Sequence, residues 1–468
     1  MTVGRPPTLA VTDEQISALE GFSGALLLPG DPGYEHARGV FNGLVDKRPA
    51  LIARCNGVAD VVAAVDFARE RGLEVSVRGG GHNVAGTAVT DGGVMIDLSG
   101  MRGIHVDPVS RTARAQGGVT WAELDRATQL HGLAVTGGAV STTGIAGLTL
   151  GGGVGWLMGK HGLTTDNLRS AEVVTADGRV LTASADEHED LFWALRGGGG
   201  NFGVVASFQY QLHPIGQVVA GIVAHPFESA PEVLRFVREF TASIPDELTV
   251  LTGLVHAADG SGEKLVAVAL CHIGSPEDAK RDIDPLLAFG SSVLTDVKRM
   301  PYVEANSLID DAYPRGSLNY WKSGYVEILS DDFIGTAVDA FASVPSQMTG
   351  LFVEQLCGAV TRVPVSATAF LHREPTYSLF ITSVWRDPEA SEANLAWTRA
   401  THSALEPFVS SRRYSNYLAE DEIGDSDRAR AAYGPNYERL ARVKATYDPS
   451  NFFHLNVNIE PTKEGGAT

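Results

Sequence analysis

Arg78-Gly79-Gly80-Gly81-His82-Asn83 follows directly on a strand-like segment at 73–77, and the reading of this hexapeptide decides the fold. Glycine alone takes positive φ freely and lacks the Cβ that blocks close approach, so such a run brings backbone N–H groups against an anionic ligand. A histidine among these glycines is accessible, and its imidazole nitrogen can act as a nucleophile. The plainer alternative is a histidine hydrogen-bonded within its own loop. Two more glycine-dense stretches follow, at 137–155 and 197–200, with neither helical nor strand periodicity in the first. Three clusters in one part of the chain favour an extended anionic cofactor over turn punctuation.

The surroundings of the hexapeptide define which cofactor fold this can be. Upstream the pattern is strand, helix, strand: apolar residues at 50–53, then Val58, Val61, Val62, Val65 and Ala68 at helical spacing, with Asn56 as expected cap and Gly72 as expected stop. Downstream come strands at 93–98, 104–106 and 112–115, then a helix opened by the capping box Thr120 and Glu123. Asp177-Gly178 reads as a hairpin turn, 190–195 as helix and 204–212 as strand. Gly198-Gly199-Gly200-Asn201-Phe202-Gly203 matches the dinucleotide-binding GxGxxG string. It lies after a helix and before a strand, the reverse of what that fingerprint requires, so a Rossmann site is rejected. The chain has no GxxxxGK[ST], HExxH or GxSxG string and no expected metal site.

Composition narrows the function classes further. With 37 Lys+Arg against 56 Asp+Glu, the 468-residue chain carries a net charge of −19, so nucleic acid and anionic membrane are poor partners. Cys55, Cys271 and Cys357 are far apart, which argues against a disulfide framework and fits a reducing compartment. Residues 1–12 show no apolar leader core, and a soluble, cytoplasmic monomer or homodimer is expected. Beyond Pro214 glycine thins out. Helices at 231–241, 276–289, 332–342 and 391–405 alternate with strands at 250–255, 265–271, 351–356 and 377–385. That texture predicts an antiparallel sheet with helical cover, making the whole an α+β protein. The tail at 463–468 reads as flexible.

The ordered motifs resemble those of flavoproteins with the vanillyl-alcohol-oxidase fold, in the berberine-bridge-enzyme-like branch. They are the 78–83 loop, Asp97-Leu98-Ser99, the 144–155 loop, Leu191-Phe192-Trp193-Ala194-Leu195-Arg196-Gly197, Asn201-Phe202-Gly203, Tyr414-Ser415-Asn416-Tyr417, Tyr433-Gly434-Pro435-Asn436-Tyr437 and Asn456-Val457-Asn458. The resemblance implies a two-part FAD-binding domain, 1–215 and 412–468, enclosing a substrate domain at 216–411. It implies FAD bound covalently through His82. Val140 occupies the place of the cysteine that makes a second bond in many members, so one link is implied.

By the same matching, Arg78, Gly79, Gly80, Gly81, Asn83, Ser99, Val140, Thr143, Gly144, Gly147, Gly152, Gly153, Val205, Asn456 and Asn458 would hold the cofactor. Ile145 would bear on oxygen access. The implied activity is hydride transfer from a small or glycosylated alcohol, amine or N-heterocycle, with electrons passing to O₂. A dehydrogenase with another acceptor, or a ligand binder or isomerase that kept the fold, is the alternative. Hydride transfer needs a base for the accompanying O–H or N–H proton. Tyr414 matches the family's tyrosine for that role, with Lys322 or Arg413 as cations to lower its pKa, while Tyr417 reads as structural. Glu354 and Gln355 alternate in one strand, so only one of them can face the flavin. Asp166-Asn167 reads as a cap or cofactor contact; Phe370-Leu371-His372-Arg373 matches another stretch of the family, and His372 and Arg373 read equally as a solvated strand end.

Overall fold

A computed structural model describes residue 19, residues 21–423 and residues 426–462. The calls on 1–12 and 463–468 lie outside the described residues. Strands β1 (Ala25–Leu27), β2 (Leu51–Arg54), β3 (Val75–Arg78) and β4 (Val94–Asp97) form a sheet in the order β1-β2-β4-β3, with β4 parallel to β2 and β3. The apolar run Val94-Met95-Ile96 is fully buried, as a central parallel strand covered on both faces requires. Helix Val58–Glu70 packs Val61, Ala64, Val65 and Ala68 on this sheet, and Gly72 follows its end at φ 62°. Asn56 does not cap it. The N-cap is Gly57, and the Asp60 carboxylate instead accepts from the backbone of Asn56 and Ser23.

The second sheet, β5 (Ile104–Asp107), β6 (Thr112–Gln116), β7 (Leu168–Val174), β8 (Val180–Ser184) and β9 (Val204–Gln211), runs antiparallel in the order β5-β6-β9-β7-β8. The Thr120–Glu123 capping box opens helix Trp121–Gln129 as expected. Residues from the far end of the chain, among them Leu418, Tyr433, Leu440 and Ile459, share the core of this sheet with Trp121, Phe192 and Phe208.

The third sheet has seven strands: β10 (Gln217–Pro226), β11 (Leu248–His256), β12 (Lys264–His272), β13 (Leu294–Pro301), β14 (Leu318–Val326), β15 (Gly350–Leu356) and β16 (Thr376–Trp385), in the order β13-β10-β12-β11-β15-β16-β14. Four helices, Ala230–Thr241, Pro276–Leu287, Asp331–Ala342 and Ser391–Leu405, cover one face. Alternation sends Leu351 and Val353 to that helical core, which leaves Phe352 and Glu354 for the opposite face. Mixed α and β elements of this kind agree with the α+β expectation. Among the described residues no helix is long and apolar enough to cross a membrane.

One core group has a measurable consequence. Asp125, on helix Trp121–Gln129, is buried beside Tyr302 and accepts only from Asn306 Nδ2, at 2.7 Å. Burial pushes its carboxyl up to about 7. The folded state therefore holds a proton that the unfolded chain releases near its ordinary pKa, and stability falls as pH rises towards 7. Asp125→Asn removes the titration and can keep the bond to Asn306. It is expected to raise the melting temperature at pH 8 by several degrees, about 1–3 kcal/mol, with a smaller gain at pH 5. Thermal unfolding at the two pH values checks this; equal effects at both would refute it.

Candidate functional site

The 78–83 loop leaves β3 above a buried ion pair. Arg78 Nε and Nη2 donate to Asp97 Oδ1 and Oδ2 at 3.0 and 3.1 Å, and Nη2 reaches Ser99 Oγ at 3.3 Å. Arg78 and Ser99 thus lie beneath the loop, outside the cavity lining, and hold its root. Gly79, Gly80, Gly81, His82 and Asn83 all line a cavity of about 320 Å³. A Cβ on Gly80 would collide with the backbone of Gly144, and one on Gly144 with Gly80, so the two glycine loops touch through bare backbone.

The second loop contains an element that the sequence reading omitted: Ile145–Leu150 is a short helix. Thr149 Oγ1 donates back to Ile145 O, a bond that competes with the helical ladder, and also bonds Tyr210 Oη, which ties this short helix to the second sheet. Val140, Thr143, Gly144 and Gly147 line the cavity, whereas Ile145 is buried behind it. Gly152 and Gly153 face elsewhere. A Cβ on Gly152 would lie 2.6 Å from the Phe370 ring, and one on Gly153 would strike Thr164, so both serve packing. Val205 and Asn456 also line the cavity, and Asn458 does not. The side-chain oxygens of Asn456 and Asn458 have no protein partner.

Two strands of the seven-stranded sheet, β14 and β16, add Trp321 and Phe380 to the lining, and Tyr313 and Tyr417 from outside the sheet complete an aromatic wall. Tyr313 and Trp321 meet edge to face at 5.8 Å, Trp321 and Tyr417 at 6.3 Å, and Phe380 lies 5.1 Å from Tyr417. Tyr417, read as structural, is therefore part of the lining. The competition within β15 resolves by alternation. Glu354 faces the cavity with Oε2 unpartnered, while Gln355 turns to the helical side and donates to Thr241 O at 3.0 Å. Burial pushes the Glu354 carboxyl up to about 7.

Tyr414 also lines the cavity, 4.8 Å from Tyr417. Its oxygen accepts from Gly153 N at 3.0 Å and Asn416 Nδ2 at 2.9 Å. Burial outweighs these two bonds and pushes the phenol up to about 12. The cations expected to counter this are committed elsewhere. Lys322 pairs with Asp421 at 2.9 Å and Glu422 at 3.2 Å, and the Arg413 guanidinium donates to the carbonyls of Ser410 and Arg412. His372 and Arg373 are buried instead of solvated, because Arg373 makes a two-pronged bond to Asp166 at 2.7 and 2.8 Å. Asn167 Oδ1 accepts from His213 Nε2 at 2.6 Å, and Asn167 lies outside the lining. Burial, and then the Arg315 guanidinium, pushes the His82 imidazole down to about 4. Sequence reasoning missed Arg315, Tyr313 and Phe380, which no local motif marks.

Comparison with known proteins agrees with this geometry. Residues 49–184 match the FAD binding domain family, and residues 413–460 match the berberine and berberine-like family. An FAD-linked oxidoreductase of Dictyostelium discoideum is 32% identical, covering 88% of this chain and 89% of its own. (R)-6-hydroxynicotine oxidase of Paenarthrobacter nicotinovorans is 32% identical over 94% of this chain and 97% of its own. The chain belongs to the berberine-bridge-enzyme-like FAD-linked oxidoreductases. The crystal structure of 6-hydroxy-D-nicotine oxidase from Arthrobacter nicotinovorans superposes with a TM-score of 0.87 at 30% identity, covering 94% of this chain and 98% of that one.

For an FAD-linked oxidoreductase of this family, the residues present fit the cofactor. Bare backbone at Gly147 and Gly200 borders open space in the cavity, and the unpartnered Asn456 oxygen lies in the same lining. Among the described residues no His, Cys, Asp and Glu cluster could hold a metal ion.

Proposed function

We propose that this oxidoreductase carries its FAD on a single bond from His82 and oxidises a flat, apolar amine or N-heterocycle, with O₂ as final acceptor. The observation that carries the substrate class is the aromatic wall of the cavity: Tyr313, Trp321, Phe380 and Tyr417, with one buried carboxyl, Glu354. A sugar would leave many hydroxyls facing ring carbons unpaired, at a cost of about 1–3 kcal/mol each. An aromatic or alicyclic amine fills the same space and offers one polar group to Glu354.

Bound FAD would supply the acceptor for a hydride from a substrate C–H bond. Glu354, ionised above about pH 7, takes the N–H or O–H proton at its free Oε2. Both lone pairs of the Tyr414 oxygen are engaged by Gly153 and Asn416, so its own O–H points outward as a donor that orients the substrate. The aromatic rings keep water from the carboxylate and so hold its pKa near neutrality. The test is an aerobic screen for peroxide with cyclic amines and N-heterocycles beside oligosaccharides. Faster peroxide release with sugars would overturn the substrate class, and turnover with a dye but without peroxide would overturn the acceptor.

Val140 bears on the single link. It lines the cavity but has no sulfur to bond the ring. In the wild type, peptide mass spectrometry is expected to find flavin on the His82 peptide alone, and Val140→Cys should add a second attachment. Flavin on any other wild-type peptide contradicts the reading.

A further inference from the structure

His82 does not stand alone in its loop. The Phe41 ring stacks on the imidazole with centroids 3.9 Å apart and planes 16° from parallel. Phe41 is buried and sits in residues 39–44, a stretch that bridges two parts of the fold. On one side Phe41 N donates to Gly81 O at 2.9 Å, next to His82. On the other, Phe41 O accepts from Gly316 N at 2.9 Å, and Gly43 N donates to Ser317 O at 2.8 Å, both in the turn that leads into β14.

Asn42 locks this bridge. Its amide donates to Val84 O at 2.7 Å and Asn319 O at 2.9 Å, and its oxygen accepts from Leu44 N and Asn319 N. Two donors and two lone pairs are the whole capacity of the side chain, and all are used. Asn319 in turn accepts from Trp321 Nε1 at 3.2 Å, so the network continues into the aromatic wall. Arg315 closes it by donating to Gly39 O at 2.5 Å.

We propose that residues 39–44 are a strap that orients His82 for bonding to the flavin, with Phe41 and Arg315 as its positioning residues. The inference rests on the covalent reading of His82. In that reaction one imidazole nitrogen bonds the ring methyl carbon; the carbon loses a hydrogen and the imidazole its N–H proton. Two electrons and two protons pass to O₂ as hydrogen peroxide. Stacking restricts rotation of the ring to the plane set by Phe41, and reactions between held groups lose rate steeply with misplacement, by up to about 10²-fold for 1 Å. Thr142 Oγ1 lies 3.4 Å from Nε2. Arg315 also puts a positive charge beside the imidazole, which disfavours its protonated form. Arg78, the next cation inward, is neutralised by Asp97.

The full-length chain, incubated with excess FAD, is followed by flavin fluorescence in acid-precipitated protein and by peptide mass. Phe41→Ala is expected to slow covalent attachment by about 10–100-fold, with reversible FAD binding changed by less than about threefold. Phe41→Tyr keeps the stacking face and should attach at the wild-type rate. Phe41→Leu keeps the volume without the ring, guards against a folding defect, and should be slow. Arg315→Gln should shift the acid limb of the attachment rate to higher pH, and Arg315→Lys should restore it. Wild-type attachment rates in Phe41→Leu and Phe41→Ala would overturn the strap while leaving His82 as the linking residue. A wild-type chain with no acid-stable flavin would overturn both.

Discussion

Glu354→Gln is expected to slow anaerobic flavin reduction by substrate by roughly 10²–10⁴-fold while flavin content stays at the wild-type level. The amide matches the carboxylate in shape but cannot take a proton. Because burial raises the Glu354 carboxyl to about 7, the wild-type rate should climb with pH through that value as the base ionises. The variant should lose that limb. Tyr414→Phe makes the contrast: it deletes a donor and should cost about 10–10²-fold with the limb near pH 7 intact. Stopped-flow reduction at several pH values separates the two. A larger loss in Tyr414→Phe than in Glu354→Gln, with the limb of the Gln variant unmoved, would return the base role to the tyrosine.

The contrast between Glu354 and Tyr414 also marks where sequence reasoning stops. The glycine loops were legible because close backbone contact, as between Gly80 and Gly144, admits one residue type and leaves a local signature. The same logic overreached at Gly152 and Gly153, since a glycine forced by Phe370 or Thr164 looks identical in one dimension to one forced by a ligand. Strand alternation divided Glu354 from Gln355 correctly, yet only the helix at Ala230–Thr241 decides which face is covered. Lys322 is adjacent to the wall residue Trp321, but Asp421 and Glu422, about a hundred residues away, claim its charge.

Three strands of the large sheet went unread for similar reasons. β13 is an edge strand whose exposed Asp296, Lys298 and Arg299 hide any apolar alternation, as expected where an edge must resist pairing with another chain. Its neighbour β10 is interrupted by Gly221, where a Cβ would strike Asp296 O. β14 is buried along nearly its whole length, including Asn319, Lys322 and Ser323, because those polar groups find partners only in the folded chain. Buried polar residues satisfied over long sequence distances carry no local signal.

His82→Ala should convert acid-stable flavin, one per chain, into flavin that leaves on acid precipitation. The loop itself should survive, since its root is the Arg78–Asp97 pair and its contacts are backbone, so FAD is expected to bind reversibly to the variant. The imidazole is suited to form the bond because burial and Arg315 hold its pKa at about 4, leaving a nitrogen lone pair free at neutral pH. The sign follows: attachment should be insensitive to pH between 6 and 8 and fail only in acid, where the ring gains a proton. An imidazole substituent in place of hydrogen draws electron density from the flavin, so the wild type should be the stronger oxidant of the two. Acid precipitation, peptide mass at residue 82 and a redox titration check the three statements separately. Yellow colour released from the wild type would refute the bond, and equal potentials in wild type and variant would leave the bond as an anchor alone.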